Sequence, residues 1–243
     1  MDHSISQIRF LDVPVQCRNC QSRRNGMCSA LDVTQLADLS KQTRKSRHHS
    51  GDELVGESTE VVGYANVVRG VVKLSKVLDD GRQQLVGLQF APDMLGRLYG
   101  TEHLITAEAA SDVELCRVPK SSLEGLVAGN PALQQHVLRQ TLRELDEARE
   151  WMVTLGRKSA AERVSSLLCL IASRADPARM RNQAGAVSLD LPLSRADIAD
   201  FLGLTIETVS RQMTKLRRDG MIRIVNHRRI EVTDLKQLRC RCG

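Results

Sequence analysis

The stretch from Ser194 to Gly220 constrains the fold more than any other. Ser194-Arg195-Ala196-Asp197 is a Ser-x-x-Asp start, resembling a capping box, in which the two side chains satisfy each other's free backbone N–H groups. Ala196, Ile198, Ala199 and Leu202 complete a short amphipathic helix. Gly203 permits a sharp reversal, Leu204 plugs the angle, and Thr205 caps a second helix expected from about Ile206 to Asp219, stopped by Gly220. On that helix Val209, Met213 and Leu216 share the inner stripe, while Glu207, Ser210, Arg211, Thr214, Lys215 and Arg218 face out. The run from Ile222 to Val232 reads as a hairpin beside it, which makes a winged helix-turn-helix.

Charge indicates what the outer face meets. The chain carries 35 Lys+Arg against 29 Asp+Glu, a formal +6. Residues 1–50 hold 8 basic and 4 acidic side chains, residues 51–193 hold 16 and 19, and residues 194–243 hold 11 and 6. A basic C-terminal quarter on an acidic middle marks a polyanion-binding module joined to something else. In the first turns of a helix in the major groove, Arg pairs with guanine O6/N7, Glu accepts from cytosine N4, and Ser serves either kind of edge. Double-stranded DNA is therefore the expected partner. Arg211 is the strongest base contact, with Glu207 and Ser210 beside it and Thr205 and Thr208 at the helix start. Lys215, Arg217, Arg218 and the hairpin fall to the phosphates. An acid on a cationic surface is costly unless it reads a base or orients a neighbour, so Glu207 is expected to do one or the other. With aromatics at 2%, single-strand binding by base stacking is disfavoured.

Ahead of this module the pattern changes twice. From Glu53 to Val118, short β-branched runs (Glu60–Tyr64, Val67–Leu74, Gln84–Phe90, Val113–Val118) are broken by turn residues, with Asp79-Asp80-Gly81-Arg82 as a hairpin turn. This texture predicts an antiparallel barrel or roll, so the fold class is α+β. Asn130-Pro131 then opens a helix of about seven turns with an apolar seam through Leu138, Leu142, Leu145 and Met152, expected to pair with a second copy in a homodimer. Gly156 is expected to interrupt it, and a second helix from about Ser159 buries Val164, Leu167, Leu168 and Ile171 until Asp176-Pro177. The expected division is residues 1–30 as a cysteine-rich segment, 31–128 as the roll, 129–158 as the dimer helix and 159–243 as the DNA-binding domain. The longest charge-free stretch, Gly125 to Leu138, contains Asn130-Pro131, and Met1–Gln7 has no apolar signal core, so no membrane partner and a cytoplasmic setting are expected.

Seven cysteines complete the inventory, an odd count that argues against a closed disulfide framework. Cys17, Cys20 and Cys28 form C-x2-C-x7-C, three soft ligands that need a fourth, and Cys116 on the last strand is the best placed. Such thiolates suit zinc or an iron–sulfur cluster. Arg18, Arg23, Arg24 and Arg117 are available to offset an anionic cluster. Cys169 reads as a small core residue and Cys240 and Cys242 as a frayed tail outside the site, while His48-His49 reads as part of a basic surface loop.

Taken together, the roll, the dimer helix and the run Leu193 to Arg211 resemble the CRP/FNR superfamily of bacterial transcription regulators, and within it the oxygen-sensing FNR branch. Glu207-x-x-Ser210-Arg211 is similar to the branch's reading motif for TTGAT-type half-sites. The resemblance implies Arg211 on the guanine, Glu207 and Ser210 on adjoining bases, a [4Fe–4S] cluster on Cys17, Cys20, Cys28 and Cys116, and RNA polymerase as a further partner, with Asp79–Arg82 as a possible contact. Two departures stand out. The seven-residue spacer exceeds the best-known FNR spacing, and Leu95–Leu98 with His103–Ala109 lacks the Arg-Ser pair of the cyclic-nucleotide-binding relatives, so no cyclic nucleotide is expected. Rival readings are a regulator of the same fold with a zinc or nitric-oxide-responsive cysteine site, and a cluster-dependent DNA-processing enzyme. No carboxylate pair, Walker motif or nucleophile–base set supports the enzyme, so none is expected.

Overall fold

The computed structural model describes residues 13–175, 186–226 and 229–243, in two compact units: residues up to Leu74 with Leu88–Arg143, and Ser75–Gly87 with Glu144–Gly243. No helix among the described residues is long and apolar enough to cross a membrane.

The N-terminal half carries strands β1 (Arg44–His48), β2 (Glu53–Val55), β3 (Gly63–Arg69), β4 (Val71–Val77), β5 (Gln83–Phe90), β6 (Met94–Leu95), β7 (Thr106–Ala109) and β8 (Val113–Pro119), all in the first unit except Ser75–Val77 of β4 and Gln83–Gly87 of β5. They form two four-stranded sheets, ordered β1-β8-β3-β6 and β2-β7-β4-β5, which is the expected roll. Alternation along β3 and β8 gives the first sheet two buried faces. Ala65, Val67, Val113 and Leu115 join Leu54, Val72, Ala107 and Ala109 in one core. Tyr64 and Val118 turn the other way, into a second core with Met27, Leu39, Leu123 and Leu133.

That second face is covered by helices. They are α1 (Gln21–Asn25), α2 (Val33–Gln42, capped reciprocally by Asp32 and Gln35), α3 (Lys120–Gly129) and the start of α4 (Pro131–Arg157). Neither α2 nor β1 was expected, because Arg44–His48 reads as a basic loop until β8 pairs with it. The single run expected over Val67–Leu74 is two strands, broken at Gly70, where φ is +88° and a side chain would collide with the carbonyl of Asp112. Of Glu60–Tyr64 only Gly63 and Tyr64 are in a strand, and Glu60 makes one bridge to Glu102. The Asp79–Arg82 turn is as expected, with Leu78 N donating to Arg82 O at 2.8 Å and Gly81 at φ +84°.

In the second unit, α4 runs through Gly156 instead of stopping there, since one helical glycine costs only about 1 kcal/mol. The break falls one turn later, where Ser159 and Glu162 cap α5 (Ala160–Ala175). The expected stop at Asp176-Pro177 and the polar loop that follows lie outside the described residues. Next come β9 (Val187–Asp190), α6 (Arg195–Leu202), α7 (Ile206–Arg218), β10 (Ile222–Ile224), β11 (Arg229–Val232) and α8 (Leu235–Cys240), with a sheet ordered β10-β11-β9. Trp151 of α4 stacks edge-on against Phe201 of α6, ring centroids 4.6 Å apart, a contact that no periodicity announces.

Candidate functional site

Cys17, Cys20, Cys28 and Cys116 line one pocket, together with Ser22, Arg23, Thr43, Lys45 and Asn66. Sheet register explains part of this. Cys116 sits in the middle of β8, opposite Lys45 on β1 and Asn66 on β3, so all three project to the helical face. The other three cysteines arrive on the turn and helix segments between Val15 and Ala30.

The thiols sense one another. Burial, reinforced by Cys20, Cys116 and Cys17, pushes the Cys28 thiol up to about 12. Cys17 is raised by burial, then by Cys20 and Cys116. Cys116 is also raised, chiefly by burial, against the lowering effect of Thr43 and Lys45. A site that penalises bare thiolates favours a cation that neutralises them. No three His, Cys, Asp or Glu side chains among the described residues are grouped closely enough for a single metal ion.

Three polar atoms of the pocket residues are buried without a hydrogen-bond partner: Ser22 Oγ, Arg23 Nε and Asn66 Oδ1. Such atoms are costly unless something fills the pocket and satisfies them. Of these, Ser22 Oγ and Arg23 Nε can donate to a sulfur-rich anionic group, whereas Asn66 Oδ1 can only accept. Of the four arginines expected to offset its charge, only Arg23 lines the pocket. Arg18 Nε binds Val13 O, Arg24 is exposed, and Arg117 Nε binds Ser46 Oγ.

The cysteine segment is tied directly to the long helix. Asn130 caps α4 by accepting from Leu133 N at 3.0 Å, and its amide nitrogen donates to Ala30 O at 3.3 Å and Gln35 Oε1 at 2.9 Å. Sequence pattern predicts the cap; the bridge depends on a contact 100 residues away and has no local signal. Farther along α4, Leu138, Leu142, Leu145 and Met152 are between 43% and 72% exposed, an apolar stripe without cover in a single chain.

The reading helix is placed by its caps. Ser194 and Asp197 form the capping box of α6, Gly203 closes it at φ +60°, and Thr205 Oγ1 accepts from Thr208 N to begin α7. Ser210, Arg211, Thr214, Lys215 and Arg218 line one shallow concavity on its outer face. Glu207 is exposed in the first turn, its carboxyl held below the usual range by its own backbone and Thr205. Arg211 leans toward Thr208 Oγ1 at 3.5 Å. In the hairpin, Arg223 pairs with Glu231 and Arg229 with Ser188, so these two are partly engaged within their own sheet. His227 and Arg228 lie outside the described residues.

The tail is a correction. Instead of fraying, it forms α8, buries Leu235 and Leu238, and carries Cys242 to 3.3 Å from Cys169, which is partly rather than fully buried.

A basic helix-turn-helix in a chain that also carries an antiparallel roll is the architecture of a DNA-binding regulator. Residues 162–241 match the Crp-like helix-turn-helix domain and residues 46–130 the cyclic nucleotide-binding domain. The chain is 49% identical, over 98% of both lengths, to a Rhizobium leguminosarum bv. viciae protein described as "Probable transcriptional activator". It is 37% identical to the transcriptional activator protein FnrL of Cereibacter sphaeroides, over 92% of this chain and 90% of that one. The solved structure of FixK2 from Bradyrhizobium japonicum matches with a TM-score of 0.74 and 32% identity, covering 83% of this chain and 98% of FixK2. The chain belongs to the CRP/FNR family, whose members act as dimers on DNA. Within it, this is a transcriptional activator of the FNR/FixK type.

Proposed function

We propose that this activator responds to oxygen through a [4Fe–4S] cluster held by Cys17, Cys20, Cys28 and Cys116, and works as a homodimer on a palindrome of TTGAT-like half-sites. The observation that carries the reading is the meeting of four thiols from distant parts of the chain in one pocket with three unpartnered buried polar atoms. When bound, the cluster supplies an oxygen-labile link among the four thiolates.

The chain's own residues convert that link into dimerisation. Cys116 is fixed in the sheet, so holding Cys17, Cys20 and Cys28 near it holds the segment that ends at Ala30. Ala30 and Gln35 in turn keep Asn130 in place as the cap of α4. A well-capped α4 presents Leu138, Leu142, Leu145 and Met152 to its copy. Asp146, Glu147 and Glu150 beside the seam oppose pairing, although Glu147 is drawn aside by Arg174 at 2.7 Å. Pairing sets two α7 helices on successive major-groove faces, where Arg211 reads guanine and Glu207, Ser210, Thr205 and Thr208 face the neighbouring bases and backbone. Lys215 contributes phosphate affinity. RNA polymerase is the further partner, no cyclic nucleotide takes part, and the setting is cytoplasmic.

The test is iron and sulfide analysis of anaerobically purified protein, with the visible spectrum and site-specific DNA binding followed during air exposure. Bound iron and sulfide, bleaching in air and a parallel loss of DNA binding are expected. A colourless, iron-free protein, one that holds zinc, or DNA binding indifferent to air would overturn the sensor.

A further inference from the structure

The second unit contains a pair of sulfurs for which neither the cysteine pocket nor DNA reading has a use. Cys169 lies on α5 and Cys242 just beyond α8, 73 residues apart in sequence, with their Sγ atoms 3.3 Å apart. We propose that Cys169 and Cys242 form a second redox site, a dithiol that a peroxide converts to an intramolecular disulfide within the DNA-binding unit.

The tail is held for this bond from both sides. Leu238 is fully buried, Arg241 Nη1 binds Asp219 Oδ2 at 2.7 Å, and Ser166 Oγ donates to Cys242 O at 3.4 Å. A disulfide needs its sulfurs at about 2.05 Å, so closure asks for a shift of little more than an ångström, within the reach of side-chain rotation. Asp219 closes the reading helix α7, so the bond would tie α5 to a tail that is itself ion-paired to the end of α7.

The two thiols are also unequal. As a thiol, Cys242 donates to Cys169 Sγ and to Leu238 O at 3.4 Å. Once ionised it accepts from Cys169 and Ser166 and lies near Lys158 and Arg239. These bring it below the ordinary thiol range, the hydrogen bond from Cys169 having the largest effect and burial opposing it. Cys169, as the donor in that arrangement and partly buried, is raised. Cys242 is therefore the attacking sulfur and Cys169 the resolving one. Attack of the Cys242 thiolate on hydrogen peroxide breaks the O–O bond and gives a sulfenic acid and hydroxide. Cys169 sulfur then displaces the sulfenic hydroxyl, its proton leaving with it as water. Overall, two thiols lose two electrons and two protons, and one peroxide becomes two waters.

The experiment treats the full chain with hydrogen peroxide, blocks remaining thiols with iodoacetamide, and maps digested peptides by mass spectrometry with and without dithiothreitol. A reducible Cys169–Cys242 peptide is expected in the wild type and in Cys240→Ser, and is absent from Cys242→Ser and Cys169→Ser. Oxidation should raise the thermal unfolding midpoint of Cys240→Ser but not of Cys242→Ser. Before oxidation, Cys242 should be alkylated at lower pH than Cys169, as its lowered thiol ionises first. Cys242 linked to Cys240 or to a second chain, both thiols fully alkylated after peroxide, or Cys242 overoxidised while Cys169 stays free would each overturn the proposal.

Discussion

The cysteine pocket and the reading helix are built on opposite principles. In the pocket, the functional groups are half-buried, drawn from segments almost a hundred residues apart, and accompanied by polar atoms that have no partner of their own. On α7 they are exposed, come from about three turns of one helix, and are positioned by caps within a few residues. Long-range contacts of the first kind can be made or lost together, while those of the second are set by local caps. On the proposed reading, control therefore acts on how two copies are brought to DNA.

Breaking the pocket should therefore have the largest consequence. Cys116→Ala is expected to abolish bound iron and, with it, site-specific DNA binding, while leaving α7 folded; retention of iron would refute the assignment of the sheet cysteine. Next is the seam between the two regions. Leu142→Glu removes from the dimer a side chain, half exposed in the single chain, whose remaining burial is worth about 1 kcal/mol on each copy, so sedimentation should show monomers at concentrations where the wild type is paired. On the reading helix, Arg211→Ala should cost about 1–3 kcal/mol at one base pair per half-site in binding to permuted sites. A uniform loss across all sequences would make Arg211 a phosphate contact. The smallest effect is also the sharpest. Asn130→Ala loses both cap and bridge, about 1 kcal/mol of helix stability, whereas Asn130→Asp keeps the cap acceptor and loses the amide donor to Ala30 and Gln35. If the bridge couples the regions, both variants weaken anaerobic dimerisation, although only the first removes the cap.

The same contrast decides what was legible in the sequence. Ser194, Gly203, Thr205 and Gly220 announce the ends of α6 and α7 because caps and turns are local chemistry, and Asn130-Pro131 announces α4 for the same reason. Gly156 misleads, since the capping pair Ser159 and Glu162 places the break, not the weaker residue inside the helix. Cys116 could be nominated as a fourth ligand, but its neighbours Lys45 and Asn66 are defined only by register between strands. The orphaned Ser22 and Asn66, the Trp151–Phe201 contact and the approach of Cys242 to Cys169 all depend on tertiary packing that no periodicity encodes.

Asn130 also gives the molecule a local clock. The amide proton of Leu133 is sealed by the Asn130 side chain on a residue with no solvent exposure, so it can exchange with solvent deuterium only when that side chain lets go. The amide nitrogen of the same side chain is held by Ala30 and Gln35. Deuterium uptake at this one position thus times the release of the cap that sits on the cysteine segment, in the absence of DNA and of any added label.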